Sequence, residues 1–148
     1  MSIAIKELGH IVLYVSDLER SRHFYRDILG FQEIAAPQGA ALFSSGRTHH
    51  EMLLIEIGGA PKQQRHLEPG LYHIGFKIGD TDEELQTAID TLQQQGVPIV
   101  GTADHTVTHS LYILDPDGNE LELYIDVSDE WKTNPQAILS PVKPLSIN

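Results

Sequence analysis

LGHIVLYV at residues 8–15 and LYHIGFKI at residues 71–78 share one pattern, a histidine followed by isoleucine and further apolar side chains. Two such copies in one chain indicate an internal repeat. Each copy is followed by a segment with helical spacing of its apolar residues, SDLERSRHFYRDILG at 16–30 and DTDEELQTAIDTLQQQG at 80–96. The last residue of each segment is a glycine, which is placed to end the helix.

Both predicted helices begin with a capping-box pattern, Ser16 with Glu19 in the first and Thr81 with Glu84 in the second. In this motif the hydroxyl accepts from a backbone N–H of the first turn, and the glutamate reaches back to the N–H of the capping residue. The chain therefore predicts a strand and then a helix in each half.

Three short strand candidates follow each helix: FQEIAA, AALFSS and EMLLIEI in the first half, and VPIVGTAD, SLYILD and NELELYI in the second. The predicted fold class is α+β, with two tandem βαβββ modules forming a curved mixed sheet around a cleft. We expect a single domain over residues 1–148, divided as follows: module one about 7–57, linker 58–70, module two about 71–127 and a C-terminal tail 128–148.

Composition removes several classes of function. The 148 residues include no cysteine, so disulfides, zinc–thiolate sites and thiol nucleophiles are excluded. The formal net charge of −11 argues against nucleic acid as a partner. No apolar stretch approaches the roughly 20 residues of a membrane span, and no leader pattern precedes Ile3, so we expect a cytoplasmic protein without a membrane partner. Any metal site must use the eight histidines and the carboxylates.

Alternation along the strands separates polar from apolar faces. In NELELYI, Glu122 shares a face with Glu120 and Tyr124, opposite three apolar residues. His50 directly precedes EMLLIEI and shares the parity of Met52, Leu54 and Glu56, while the face formed by Leu53, Ile55 and Ile57 is predicted to pack on a helix. If each sheet packs its apolar face on a helix, the opposite faces of the two sheets enclose a cleft. The candidate cleft residues are His10, His50, His73 and Glu122.

Two imidazoles and one carboxylate leave coordination positions open, a set typical of non-haem iron(II) oxygenases. A histidine on a half-polar strand is more often a surface or hydrogen-bonded residue. The matching places of His10 and His73 in the two repeats favour the metal interpretation, because internal symmetry brings both to one axis.

HIVLYVSDLERSRHFYRDILGF at 10–31, HIGFKI at 73–78 and DPDGNELEL at 115–123 resemble the vicinal oxygen chelate superfamily. That superfamily includes glyoxalase I, extradiol ring-cleaving dioxygenases, and fosfomycin and bleomycin resistance proteins. The resemblance covers roughly residues 7–127 and implies paired βαβββ modules around a metal cleft. The fold alone does not choose an activity.

The run from His105 through LYILDPDGNELE to Glu122 is similar to the signature of single-domain type I extradiol dioxygenases. The signature places a histidine before an apolar–tyrosine pair, here ending in Tyr112, then an acidic–proline turn and the metal glutamate. Two features depart from the signature. The gap between His105 and Tyr112 is shorter than in many relatives, and Ala103 stands where the signature usually has another small or β-branched residue. SGRTHHEMLLIEI at 45–57 is similar to the family's strand that carries a catalytic histidine, and it aligns that residue with His50.

The resemblance implies an Fe(2+)-dependent dioxygenase that opens the ring of a catechol-type aromatic diol with O2. Its metal ligands would be His10, His73 and Glu122, with Mn(2+) as an alternative ion. His50 would be the acid–base residue, because histidine titrates near pH ~6.5. Tyr112 and His105 would donate hydrogen bonds to substrate oxygens. The family often pairs its subunits, so a homo-oligomer is an open expectation.

Two other functions remain open. Glu56 lies where glyoxalase I carries a fourth ligand, and a set of His10, Glu56, His73 and Glu122 would imply a Ni(2+)- or Zn(2+)-dependent isomerase. A metal-free drug-binding resistance protein would suit the acidic charge, because such ligands are cationic. Four histidines have no proposed role: His23, His49, His66 and His109. His49 is expected to face the opposite way from its neighbour His50 and is interpreted as structural, and the other three are interpreted as exposed or supporting.

Overall fold

The computed structural model describes residues 2–62 and 67–147. The predicted linker, 58–70, is therefore described only in part, and His66 lies outside the described residues. Contacts between residues divide the chain into two compact units, Met1–Pro61 and Lys62–Asn148. Each unit contains one four-stranded mixed sheet. The predicted α+β class and its two βαβββ modules are confirmed.

The first unit consists of one helix and four strands, with strand order β1-β4-β3-β2. The strands β1 and β4 are parallel, and the other neighbours are antiparallel. In chain order the elements are β1 Ile11–Val15, α1 Leu18–Arg22, a π-helical continuation His23–Ile28, β2 Gln32–Ala35, β3 Ala40–Ser44 and β4 Met52–Glu56.

The start of α1 differs from its prediction. Asp17, not Ser16, is the capping residue, and its Oδ1 accepts from Arg20 N at 2.8 Å. The predicted Ser16–Glu19 capping box is therefore wrong. Aspartate and serine are about equally good caps, so the pattern SDLE offered two start points one residue apart and the structure uses the second.

The second unit repeats the arrangement, with strand order β5-β8-β7-β6 and β5 parallel to β8. Its predicted Thr81–Glu84 capping box is confirmed, with both reciprocal hydrogen bonds present. Gly96 follows the helix with φ +68, a conformation that suits glycine. The elements are β5 His73–Gly79, α2 Asp82–Gln94, β6 Ile99–Asp104, β7 Thr108–Leu114 and β8 Glu120–Asp126.

The two faces of β8 are as predicted. Leu121, Leu123 and Ile125 are at most 4% exposed and form the apolar side. Glu120, Glu122 and Tyr124 are half-buried on the other side. Strict polar–apolar alternation permits one burial choice, so the sequence was sufficient here.

The faces of β4 are the reverse of the prediction. Met52 and Leu54 are 0% exposed, whereas Ile57, on the parity expected to pack on the helix, is 65% exposed. Leu53 and Ile55 are half-buried. Both faces of this strand are apolar, so the alternation did not indicate which face would be buried in the core.

Beyond β8 the tail forms two short 3₁₀ turns, Glu130–Lys132 and Pro135–Leu139. Further on, Lys143 pairs with Asp104 through two backbone hydrogen bonds of 2.9 Å, which extends the edge of the second sheet. Across the described parts of the chain, helices are too short or too polar to cross a membrane.

Candidate metal centre and catalytic residues

His73 and Glu122 meet in the second unit. His73 is the first residue of β5, and Glu122 lies in its parallel neighbour β8. The register pairs His73 with Glu120 and Gly75 with Glu122, so both side chains rise from the same face of adjacent strands. His73 Nε2 is 3.0 Å from Glu122 Oε2. Two of the three predicted metal ligands are thus in contact.

The spacing and surroundings of this pair suit a divalent ion. Two bonds of about 2.1 Å at a right angle place their ligand atoms about 3.0 Å apart. The other ring nitrogen of His73, Nδ1, is buried and forms no hydrogen bond within the described residues. Its neighbour Glu120 Oε1 is 3.6 Å away. A metal-bound histidine normally donates this N–H to a carboxylate, so Glu120 stands where such support is needed.

The remaining oxygen of Glu122 is held by two hydroxyl groups. Ser110 Oγ donates to Glu122 Oε1 at 2.6 Å, and Tyr112 Oη donates to the same atom at 3.2 Å. Both residues lie on β7, at positions of equal parity facing β8. Ser110 was not among the predicted site residues; its parity with Tyr112 was the one signal in the sequence that pointed to it.

His105 extends this network. Its Nε2 is 2.9 Å from Tyr112 Oη, and because Tyr112 donates to Glu122, its oxygen is free to accept from an Nε2–H of His105. Partial burial, with the charge of Glu122, raises the pKa of Tyr112 to about 12. The tyrosine therefore remains a neutral hydrogen-bond donor at physiological pH. The structure thus brings His105, Tyr112, Glu122 and His73 together.

A strained turn presents His105. Thr106 has φ +74, which β-branched residues rarely adopt, and its buried Oγ1 has no hydrogen-bond partner among the described atoms. The turn is closed by Val107 N donating to His105 O at 2.9 Å and by Thr106 N donating to Asp104 Oδ1 at 2.7 Å. These bonds hold the strained residue directly beside His105.

Replacing Thr106 with glycine is expected to stabilise the protein by about 1 kcal/mol. Relief of backbone strain is worth roughly 1–3 kcal/mol, more than the roughly 0.4–1 kcal/mol of extra unfolded-state entropy that glycine brings. Urea denaturation of the metal-free protein measures this. Thr102→Gly on the adjacent strand is the control and should destabilise, because it relieves no strain. A lower midpoint for Thr106→Gly would contradict the strained turn.

In the first unit, three histidines form a cluster. The rings of His10 and His50 are 4.6 Å apart, centre to centre. His49 Nδ1 lies 2.6 Å from His50 Nδ1, so one of the two nitrogens donates to the other. The prediction that His49 faces away from His50 is wrong, because these residues precede β4 and do not follow its alternation.

The surroundings of His50 favour its neutral form. Partial loss of hydration, and then repulsion from His10 and His49, lower the pKa of His50 below its ordinary value. A neutral imidazole can accept a proton at physiological pH, which is what the predicted acid–base role requires.

The segment before His10 is anchored by Arg47. Its guanidinium donates to Gly9 O at 2.9 Å and to Leu8 O at 3.4 Å, and it pairs with Glu7 Oε2 at 2.9 Å. The sequence gives no signal for this role of Arg47, because contacts across nearly 40 positions leave no local pattern. The arginine restrains the backbone that leads into a predicted metal ligand.

Glu56 is engaged at the start of α1. Its Oε2 accepts from Leu18 N at 2.7 Å, which satisfies one of the unpaired N–H groups of the first turn. In the register of the sheet Glu56 pairs with Val15, a buried residue of β1. The carboxylate therefore lies on the helix side of the sheet, which is not the arrangement that a fourth metal ligand beside His10 requires.

Replacing Glu56 with alanine is expected to lower the free energy of unfolding by about 1 kcal/mol, as loss of a helix cap does, and to leave metal affinity unchanged. Thermal denaturation and calorimetric titration with Mn(2+) measure the two effects. Glu68→Ala, at an exposed position, is the matched control for loss of charge. A loss of metal affinity in Glu56→Ala alone would restore Glu56 as a ligand.

In the described parts of each unit, taken separately, no three His, Asp or Glu side chains are arranged to hold one ion. The predicted ligand set takes His10 from the first unit and His73 with Glu122 from the second. The contact between His73 and Glu122 is described above, and the three-ligand set as a whole stays a prediction.

The family model of the Glyoxalase/Bleomycin resistance protein/Dioxygenase superfamily matches residues 7–123. The chain is similar to a catechol-2,3-dioxygenase of Bacillus subtilis (strain 168), at 34% identity over 119 residues. That match covers 80% of this chain and 41% of the relative, so the chain spans less than half of the relative's length.

A second relative is metallothiol transferase FosB of Staphylococcus haemolyticus (strain JCSC1435), 32% identical over 122 residues, with 81% of this chain and 84% of the relative covered. Among solved structures, a glyoxalase/dioxygenase from Nostoc punctiforme superposes with a TM-score of 0.68 at 22% identity, over 86% of this chain and 99% of that one. This last likeness concerns the fold alone. The chain belongs to the Glyoxalase/Bleomycin resistance protein/Dioxygenase superfamily, as its repeat and its DPDGNELEL ending predicted.

Proposed function

We propose that this protein is an iron(II)-dependent extradiol dioxygenase acting on a catechol-type aromatic diol. The observation that carries the proposal is the hydrogen-bonded series from His105 through Tyr112 to Glu122, with Glu122 in contact with His73. His105, Tyr112 and Glu122 are residues that the extradiol signature places in the sequence, and the similarity to a catechol-2,3-dioxygenase supports the same reaction.

His10, His73 and Glu122 would hold the metal. Iron(II) on two imidazoles and a carboxylate keeps coordination positions free and would supply the redox chemistry of the reaction with O2. The 3.0 Å spacing of His73 Nε2 and Glu122 Oε2 supports two of these ligands.

The protein's own side chains would manage the protons and hydrogen bonds of the substrate. His50 Nδ1 is engaged with His49, which leaves Nε2 to take a proton from a diol oxygen and return it later. Tyr112 Oη and His105 Nε2 would donate to substrate oxygens. Such donors are most effective where negative charge develops away from bulk water.

The isomerase alternative depends on Glu56 as a fourth ligand. The hydrogen bond from Leu18 N to Glu56 Oε2 weighs against that role, because it uses the carboxylate to cap a helix. Without Glu56 the proposed ligands would be His10, His73 and Glu122, the three-ligand set that the dioxygenase proposal requires.

A thiol transferase is the second candidate. The observation that favours it is coverage: the chain matches 84% of the metallothiol transferase but only 41% of the dioxygenase. The histidine cluster beside His10 favours the dioxygenase, because such a base is what proton removal from a diol requires.

The test is oxygen uptake, with absorbance recorded, after anaerobic loading of metal-stripped protein with iron(II). A panel of catechols is the substrate set. The glutathione–methylglyoxal adduct with nickel, and fosfomycin with a small thiol and Mn(2+), are run in parallel. Oxygen consumption with a yellow ring-opened product supports the proposal. The proposal is overturned if no catechol supports oxygen uptake while either parallel assay shows turnover.

A further inference from the structure

Ser110 is a buried serine whose hydroxyl points at a proposed metal ligand. Its exposure is 0%, and its Oγ donates to Glu122 Oε1 at 2.6 Å. We propose that Ser110 is a positioning residue, which holds Glu122 in the orientation that presents Oε2 to His73 and to the metal ion. The inference rests on the proposed function only in assuming that His73 and Glu122 bind a divalent ion.

The two oxygens of Glu122 have different surroundings. Oε1 accepts from Ser110 and, at the longer distance of 3.2 Å, from Tyr112. Oε2 lies 3.0 Å from His73 Nε2. A hydroxyl bound to a carboxylate at this short distance is among the stronger hydrogen bonds in proteins. Ser110 therefore contributes most to keeping Oε1 turned away from His73.

Tyr112 alone is a weaker restraint on Glu122. Its hydroxyl is shared with His105 and is also the group proposed to donate to the substrate, so it changes partners during turnover. Ser110 is fully buried and is not proposed to contact the substrate. Glu122 thus accepts one hydrogen bond, from Ser110, that is proposed to persist during turnover, and one, from Tyr112, whose donor can turn to the substrate.

Burial alone does not explain the contact. Ser21, in α1, is 1% exposed, and its Oγ has no hydrogen-bond partner within the described residues. A buried serine in this fold therefore does not need a carboxylate beside it. Ser21→Ala is consequently the matched control for Ser110→Ala: both changes remove one buried hydroxyl, but only one of those hydroxyls contacts a proposed ligand.

The test compares wild type, Ser110→Ala and Ser21→Ala as full-length, metal-stripped proteins. Mn(2+) affinity is measured by calorimetry, urea denaturation of the metal-free proteins gives their stability, and oxygen uptake with iron(II) gives activity. We expect Ser110→Ala to weaken Mn(2+) binding by roughly 10- to 100-fold, as loss of a hydrogen bond to a ligand does elsewhere. Ser21→Ala should bind Mn(2+) as wild type does.

Unchanged affinity in Ser110→Ala overturns the inference even if wild type cleaves catechols. An affinity loss that Ser21→Ala shares, or one explained by unfolding at the assay temperature, shows a structural role and overturns it too. Ser110→Cys retains a weak donor of similar size, so its Mn(2+) affinity should fall between those of wild type and Ser110→Ala. A folded Ser110→Cys protein with the same affinity as Ser110→Ala would count against the hydrogen bond.

If wild type binds Mn(2+) without consuming oxygen, the proposed function fails, and the Mn(2+) affinities of the variants still test the role of Ser110. If wild type binds no ion, both fail.

Discussion

Replacing Glu122 with alanine is expected to abolish stoichiometric iron(II) binding and, with it, oxygen uptake. The change removes an anionic ligand, the acceptor of the hydrogen bonds from Ser110 and Tyr112, and the contact with His73. The loss of affinity should exceed the roughly 10- to 100-fold that loss of a supporting hydrogen bond causes. Metal analysis after anaerobic loading and gel filtration measures it.

Glu83→Ala is the control for Glu122→Ala, because Glu83 is an exposed carboxylate in the first turn of α2. It should retain metal and activity. Urea denaturation separates loss of the ligand from loss of the fold. Stoichiometric iron with full activity in Glu122→Ala would remove Glu122 from the ligand set, and the dioxygenase proposal would then lose its central residue.

Replacing His50 with phenylalanine has a different expected result: metal content stays near that of wild type and turnover falls by roughly 10²- to 10⁴-fold, the usual contribution of a general acid–base group. Phenylalanine keeps a ring of similar size next to His10, whose ring centre is 4.6 Å from that of His50. It cannot accept a proton or bond to His49. Single-turnover oxygen uptake at saturating catechol, normalised to bound iron, is the measurement.

His23→Phe is the matched control, since His23 is an exposed histidine on the first helix and the same atoms change. Its turnover should equal that of wild type. A His50→Phe enzyme with unchanged turnover and full iron would exclude the acid–base role. If iron were lost instead, His50 would act on the metal centre through His10, and the contact between their rings would become its principal function.

Much of this protein was determined by local sequence. The repeated histidine–isoleucine strands, the Thr81–Glu84 capping box and the alternation along β8 each depend on residues close together in the chain, and all three are present in the structure. The same holds for the spacing of Tyr112 and Glu122: their positions on adjacent antiparallel strands follow from a tight turn between them. Short-range patterns of this kind are compatible with few alternative local structures.

Other features were decided only by tertiary structure. Alternation could not tell which apolar face of β4 would be buried, because packing against α1 makes that choice. The helix cap from Glu56, the anchoring of residues 7–9 by Arg47 and the contact between Ser110 and Glu122 join residues 12 to 40 positions apart. Each is a hydrogen bond whose partner is selected by where strands and helices come to lie, so residue type and spacing alone leave it undetermined.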